Sequence, residues 1–269
     1  MRYSGIQPQY FPRLHYFARI LNTGIFVVRD DVQFVRKHKY PDGRVDKSYQ
    51  AHTPIKQAFG IQFLDVPTKH GGYLSCAETR ISYDDKLITR HLKSIRVAYG
   101  RARNFDRLYN EIERLLQRRY GYLGGLNFAT IGWGLLHLLG EEQVDVDKIS
   151  IGFLEKKLAQ HRQFRLKKIK EASKSKALME AKNLTANEKI ITLIKEVGAD
   201  EDYCGGTGAA AYMDGKLFER NGIKITIQDW KCPEYQQQFT NQLGFIPNLS
   251  IIDLLMNVDE NESADIISR

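Results

Sequence analysis

The stretch Arg2-Tyr-Ser-Gly-Ile-Gln-Pro-Gln-Tyr-Phe-Pro-Arg-Leu-His-Tyr-Phe-Ala-Arg-Ile-Leu-Asn-Thr-Gly-Ile-Phe-Val-Val-Arg-Asp-Asp31 reads as strand, loop, helix and strand in succession. Arg2 to Gln7 is a short first strand, ended by Pro8, which lacks the amide a ladder needs. The loop from Pro8 to Pro12 leads into a helix from about Arg13 to Leu21. Gly24 interrupts, and Ile25 to Arg29 is an apolar strand of the kind buried on both faces. This order predicts a βαβ unit and so an α/β fold, a Rossmann-like parallel or mixed sheet flanked by helices. Open sheets of this kind bind ligands at the carboxyl ends of their strands. Gln7, Tyr10, His15, Asp31 and Gln33 fall at or near that edge.

Outward from this unit, residues 35–49 are basic and turn-rich, with Pro41-Asp42-Gly43 as a turn. Residues 49–56 and 60–66 read as paired strands, followed by the loop Lys69-His70-Gly71-Gly72-Tyr73. Helices are predicted over 85–98, 105–120 and 127–139; the middle one puts Leu108, Ile112, Leu115 and Leu116 on one face. Residues 144–149 read as a strand and 153–181 as a long Lys/Arg-rich helical stretch. We expect a single domain over 1–269, with a helical, basic insertion in the middle of the chain at about 85–182. Thr185-Ala-Asn-Glu188 is a capping box opening a helix that Gly198 ends. A strand at 201–204 then runs into Gly205-Gly206-Thr207-Gly208, with a helix from about Ala209. Residues 223–228 form the last strand. The apolar run 244–257 closes the chain, with Ser250 as helix N-cap and Asp253 three residues on. It is either a capped core helix or one wall of a cleft shared by Asn248 and Asp253.

Hydrophobic content of 42% over 269 residues is enough for a core. No run approaches the ~20 apolar residues of a membrane span, and the N-terminus lacks a signal peptide's apolar segment. Cys76, Cys204 and Cys232 are odd in number and lack metal-ligand spacing, which fits a reduced, cytoplasmic protein without a metal site. A net charge of +8 favours anionic partners: nucleotides, phosphosugars, nucleic acid or an anionic membrane surface. Much of the excess lies in 156–182, where a solvated helix face is the plain alternative. Phe164 is the sole aromatic there, which argues against stacking on single-stranded nucleic acid.

Strand, Gly205-Gly206-Thr207-Gly208 and helix form either a phosphate or carboxylate cradle or a tight turn. The run is neither a P-loop nor a dinucleotide fingerprint. Cys204 ahead of it is a thiolate at a helix N-terminus or an inert core residue. His70, His15 and His52 are the available general bases, His70 first because its Gly-flanked loop can swing over a substrate. Asp31 is the carboxylate best placed to orient a histidine or hold a sugar hydroxyl or an amine. Gln7, Tyr10, Gln33, Tyr73, Gln228, Tyr235 and Asn248 supply uncharged hydrogen-bonding groups suited to a sugar or nucleotide, or to anchoring loops.

Phe245-Ile-Pro-Asn-Leu-Ser-Ile-Ile-Asp-Leu-Leu-Met-Asn257 resembles the closing signature of the WbqC-like protein family. Ile6-Gln-Pro-Gln-Tyr-Phe-Pro12, Tyr16-Phe17 and Asp30-Asp-Val-Gln-Phe34 resemble its opening signature, so the resemblance runs the length of the chain. Two departures stand out: the family's usual pattern has no cysteine at position 204, and it often has Asn-Arg where this chain has Ala51-His52. An anion-gripping arginine is missing there; either His52 substitutes or the substrate differs.

The resemblance implies a role in making cell-surface glycans. The expected reaction is transfer of an acyl or aminoacyl group to the amine of a nucleotide-linked amino sugar. His70 or His15 would take the proton, with Gln33, Asn248 and the 205–208 amides at the oxyanion. Aminoacyl-tRNA and acyl-CoA are the candidate donors, and no cofactor is indicated. One alternative is an ATP-using nucleotidylyltransferase or ligase, because the N-terminal layout is similar to HIGH-type nucleotide-binding domains although Pro12-Arg-Leu-His-Tyr-Phe17 lacks the motif. A third reading is a non-catalytic tRNA or nucleic-acid binder.

Overall fold

The structure is a computed structural model that describes residues 1–39, 43, 45–69, 71–84, 86–206, 209–210 and 213–269. β1 (Arg2–Ile6), α1 (Leu14–Leu21) and β2 (Ile25–Val28) form the expected βαβ unit, the strands parallel in the register Tyr3↔Ile25 to Ile6↔Val28. All of β2 is buried, as an inner strand of a parallel sheet must be. The hairpins β3 (Lys37–Lys39) with β4 (Val45–Lys47) and β5 (His52–Gln57) with β6 (Gly60–Asp65) follow. The second is the pair that the 49–66 pattern predicts.

α2 (Leu87–Tyr99), α3 (Phe105–Gln117), α4 (Leu123–Leu138) and α5 (Ile151–Gln160) come next. β7 (Lys168–Glu171) then pairs with β2. The chain continues through α6 (Lys176–Glu180) and α7 (Ala186–Glu196) to β8 (Glu201–Cys204), which lies beside β1. α8 (Gly215–Arg220) leads to β9 (Lys224–Ile227) beside β8. α9 (Thr240–Leu243), α10 (Ile251–Asn257) and α11 (Glu260–Ser268) close the chain. The central sheet is therefore β7-β2-β1-β8-β9, every pair parallel. One face carries the larger core, built with α1, α2–α5, α10 and α11. The other packs Tyr3, Ile25 and Val27 against Ile190, Ile194 and Phe218 of α7 and α8. Among the described residues no helix is long and apolar enough to cross a membrane.

Two local expectations are corrected. The long helix over 153–181 stops at Gln160, and the edge strand Lys168-Ile-Lys-Glu171 follows. Only Ile169 of that strand is buried, and the outward lysines suit an edge that must not recruit another strand. The strand expected over 144–149 is instead a 3₁₀ turn, Val146–Lys148, with Asp145 Oδ1 accepting from the Asp147 amide at 3.2 Å. The capping box at Thr185 is present as read. At the closing helix Ser250 caps the Ile252 amide, but Asp253 turns inward and closes no capping box.

Candidate active site at the carboxyl edge of the sheet

β1 is the pivot of the sheet, with β2 and β7 on one side and β8 and β9 on the other. The strand order reverses between β1 and β8, and the crevice outside their carboxyl ends is where such sheets bind ligands. α1 begins over this edge. It buries Leu14, Tyr16, Phe17, Ala18, Ile20 and Leu21, and the two residues left, His15 and Arg19, share a face at i, i+4.

A chain of hydrogen bonds fixes both. Arg19 Nε donates to Gln228 Oε1 at 2.8 Å, just past β9, and Gln228 Nε2 donates to the His15 carbonyl at 2.9 Å. The His15 amide donates to Asn248 Oδ1 at 3.0 Å, and His15 Nδ1 lies 3.0 Å from the same oxygen. An oxygen facing both groups can only accept, so Nδ1 carries the proton. Burial first, and the nearby Arg19 charge second, lower the His15 pKa to about 4. At neutral pH the ring is uncharged and its lone pair sits on Nε2, which has no hydrogen bond among the described residues. Asn248 aims its side chain from the left-handed region, φ 57°, which Asn tolerates better than most residues. Its amide donates to Cys232 Sγ at 3.2 Å.

The Arg19 guanidinium lies against the chain as it leaves β8. A Cβ on Gly205 would stand 2.5 Å from Nη2, so only glycine lets the cation reach the backbone there. The Ala209 amide donates to the Gly205 carbonyl at 3.1 Å. Burial lowers the Arg19 pKa, offset by Cys204, Tyr203 and other anionic-capable neighbours. Burial raises Asp202 on β8 to about 7 against the pull of Arg19 and Arg29. Burial also pushes the Cys204 thiol up to about 12, so it is the inert thiol and not the activated thiolate.

Of the residues singled out from sequence, His15, Asn248 and Gly205 meet here, together with Gln228; Gly206 is the exposed residue that follows. Gln7 is half-buried just past β1. Asp31 is held by Arg29, with Nε at 2.8 Å and Nη2 at 3.1 Å. Tyr10 is buried with its hydroxyl 3.0 Å from His91 Nδ1. His52 is buried edge-on to Phe63, and burial lowers its pKa to about 4. Gln33 and Tyr73 are exposed, Gln33 bridging to Ser75. His70, Thr207 and Gly208 lie outside the described residues. Asp253 and Asn248 share no cleft: Asp253 is fully buried, its oxygens accepting from Tyr99 and Tyr235, each at 2.8 Å. Arg19 is the residue that the sequence reading missed; its signal was the four-residue spacing from His15 in an otherwise apolar helix. Among the described residues no group of three or more His, Cys, Asp or Glu side chains could hold a metal ion.

The sequence pattern of the WbqC-like protein family matches residues 7–265. A relative in Mycobacterium tuberculosis, the uncharacterized protein Rv1507c, is 23% identical over 257 residues, spanning 94% of this chain and 92% of the relative. No solved structure matches the chain.

Proposed function

The chain belongs to the WbqC-like protein family, and from that premise we propose that it is a transferase that moves an acyl or aminoacyl group onto the amine of a nucleotide-linked amino sugar in glycan biosynthesis. One observation carries this reading: a fixed cation and a neutral imidazole share one face of α1 at the switch point of the sheet. Arg19 is placed to meet a phosphate or another anion, and its two Nη groups suit a bidentate grip. His15 Nε2 is placed to take a proton.

In the reaction the amine nitrogen attacks the acyl carbonyl, a C–N bond forms, and the amine's proton passes to Nε2. The bond from the carbonyl carbon to the donor's sulfur or oxygen then breaks, and the imidazolium returns the proton to that leaving atom. Backbone amides of Gly205 and Gly206 would face the oxyanion. A pKa near 4 makes the free histidine a weak base. A phosphate on Arg19 cancels the positive charge that helps depress it, so substrate binding moves the base toward its working range.

The test is product formation followed by mass spectrometry, with nucleotide-linked amino sugars as acceptors and acyl-CoA or aminoacyl-tRNA as donors. His15→Ala is expected to lower kcat by about 100-fold or more, the usual contribution of a general base. Full turnover in that variant would remove His15 from the reaction. The parallel sheet order also suits an ATP-using ligase; pyrophosphate release dependent on ATP would favour that second reading.

A further inference from the structure

Where the chain leaves the carboxyl end of β2, residues 30–34 run beside residues 74–77. The Phe34 amide donates to the Leu74 carbonyl at 2.9 Å, and the Cys76 and Ala77 amides donate to the Val32 and Asp30 carbonyls, each at 3.2 Å. Three cavities lie along this seam, of about 310, 90 and 460 Å³. Phe34 and Arg36 line both the first and the second; Lys69 and Leu74 line both the second and the third. Shared walls make them one open groove.

The groove is basic along its length. Arg36, Lys37, Lys69 and Arg80 line it, all exposed, and none meets a carboxylate among the described residues. The two carboxylates that line it are engaged: Asp65 by Lys47 Nζ at 2.8 Å, and Glu78 by the Ser75 amide and hydroxyl at 3.0 and 2.8 Å. Lys37 also stands directly opposite Lys47 across the β3–β4 ladder, an unfavourable pairing of like charges that a bound anion relieves. Four cations strung along a groove suit the spaced phosphates of a polyanion better than a single phosphate.

Open rings accompany the charge. Tyr122 lines the third cavity and is 44% exposed, with the Arg80 Cζ 5.5 Å from its ring centroid. Tyr73, between the lining residues Gly72 and Leu74, is 91% exposed. Cations with exposed rings among them bind single-stranded nucleic acid, the phosphates on the cations and the unpaired bases on the rings. The basic stretch 156–182 has the charge without the rings, since its one aromatic, Phe164, is buried.

The groove also reaches toward α1. His52 is a wall of the first cavity, the Tyr49 ring lies 5.2 Å from it, and Arg13 stacks on Tyr49 with Cζ 4.3 Å from the centroid. Arg13 immediately precedes α1, and His15 stands two residues on. We propose that this groove binds single-stranded RNA and seats the 3′ end of an aminoacyl-tRNA donor. The bond that breaks in the transfer is then the ester C–O bond, and the proton returns to the ribose oxygen. The choice of donor rests on the transferase reading, whereas RNA binding by the groove does not.

The experiment is fluorescence anisotropy of the full chain with a labelled single-stranded RNA of about ten nucleotides, from about 50 to 200 mM salt. Micromolar binding is expected, with log affinity falling against log salt at a slope of about 3 for four phosphate contacts. Lys37→Gln and Lys69→Gln should each weaken binding and cut that slope by about 0.7, whereas Lys224→Gln, on the far edge of the sheet, should change neither. Tyr122→Ala should weaken binding about fivefold or more and keep the slope. A duplex of the same sequence, its bases already stacked, should bind several-fold more weakly, and His15→Ala should bind as the wild type does. An equal response to Lys69→Gln and Lys224→Gln, no effect of Tyr122→Ala, or displacement of the RNA by micromolar coenzyme A overturns the RNA groove. Transfer from acyl-CoA without RNA binding overturns the groove and leaves the transferase reading standing. RNA binding in the groove without aminoacyl transfer leaves the groove standing and overturns the donor assignment.

Discussion

At the scale of single residues the site depends on Asn248, which holds His15 from a backbone conformation most side chains avoid. Its two contributions separate by substitution. Asn248→Gly keeps the left-handed φ without cost but leaves the His15 amide and Nδ1–H without their acceptor, so it should lose about 1–3 kcal/mol of stability while turnover falls tenfold or more. Asn248→Ala should lose the same turnover and about 1 kcal/mol more than the glycine variant, because alanine lacks the short polar side chain that lets asparagine tolerate that region. Asn248→Asp tolerates the conformation and puts a charge on His15 Nδ1, which favours imidazolium. It should keep turnover and move the acidic limb of the pH–rate profile upward from about 4. Steady-state rates from pH 4 to 8, with melting curves, check all three; wild-type turnover in Asn248→Gly would show that nothing depends on the bond to His15. His15 and Asn248 were legible from residue type because each breaks an apolar run, and Gly205 because it directly follows a strand. Arg19 was not, because an arginine on a short helix ordinarily marks a solvated face. Its role depends on Gln228 and Gly205, which the fold brings together from the far end of the chain.

At the scale of elements, α10 is tied to α2, to β5 and to the segment after β9 through one buried carboxylate. Asp253 accepts from the Tyr99 hydroxyl of α2 and from Tyr235, and burial raises its pKa to about 6. Fully buried Lys56 of β5 lies near enough to pull that pKa down, its Nζ donating to Gln237 Oε1 at 3.0 Å and to the Gly244 carbonyl at 2.6 Å. Asp253→Ala leaves two buried phenols without acceptors and an ammonium without its counter-charge. The loss should be about 2–5 kcal/mol, set mainly by two buried donors left without acceptors. Asp253→Asn retains one acceptor and should lose less. Urea midpoints measure both, and a loss under about 1 kcal/mol in the alanine variant would mean that the carboxylate ties nothing. The β1–α1–β2 unit, the 49–66 hairpin and the capped helices were readable because period, turn and cap agree locally. β7 was not: a four-residue edge strand with one inward isoleucine is too short to show alternation within a basic run. Lys56 was hidden for the opposite reason, since a lysine in a strand reads as outward although every residue of β5 is buried.

At the scale of the whole molecule, opposing buried groups set the dependence of stability on pH. Burial is the leading cause that lowers His15, His52 and His91 to about 4, below the ordinary histidine value of about 6.5. Between those values the unfolded chain takes up protons that the folded chain refuses, so these groups lose stability as pH falls from 6.5 toward 4. Asp202 and Asp253 act in the other direction. Raised to about 7 and about 6, they bind protons in the folded state before the unfolded carboxylates do, and so gain stability over the same range. Burial also raises Asp30, so three carboxyls oppose three histidines and the net change on acidification is expected to be shallow. His52→Gln removes one histidine remote from the hydrogen-bonded chain at Arg19. It should shift the stability change between pH 7 and pH 5 by about 2 kcal/mol in favour of the lower pH, whereas Asp202→Asn should shift it the other way. Urea unfolding at the two pH values decides it: an unchanged pH 7 to 5 difference in His52→Gln would mean that this histidine titrates normally in the fold. The same balance favours activity at and above neutral pH, where His15 is uncharged, a phosphate carries its full charge for Arg19, and the fold has lost nothing to its histidines.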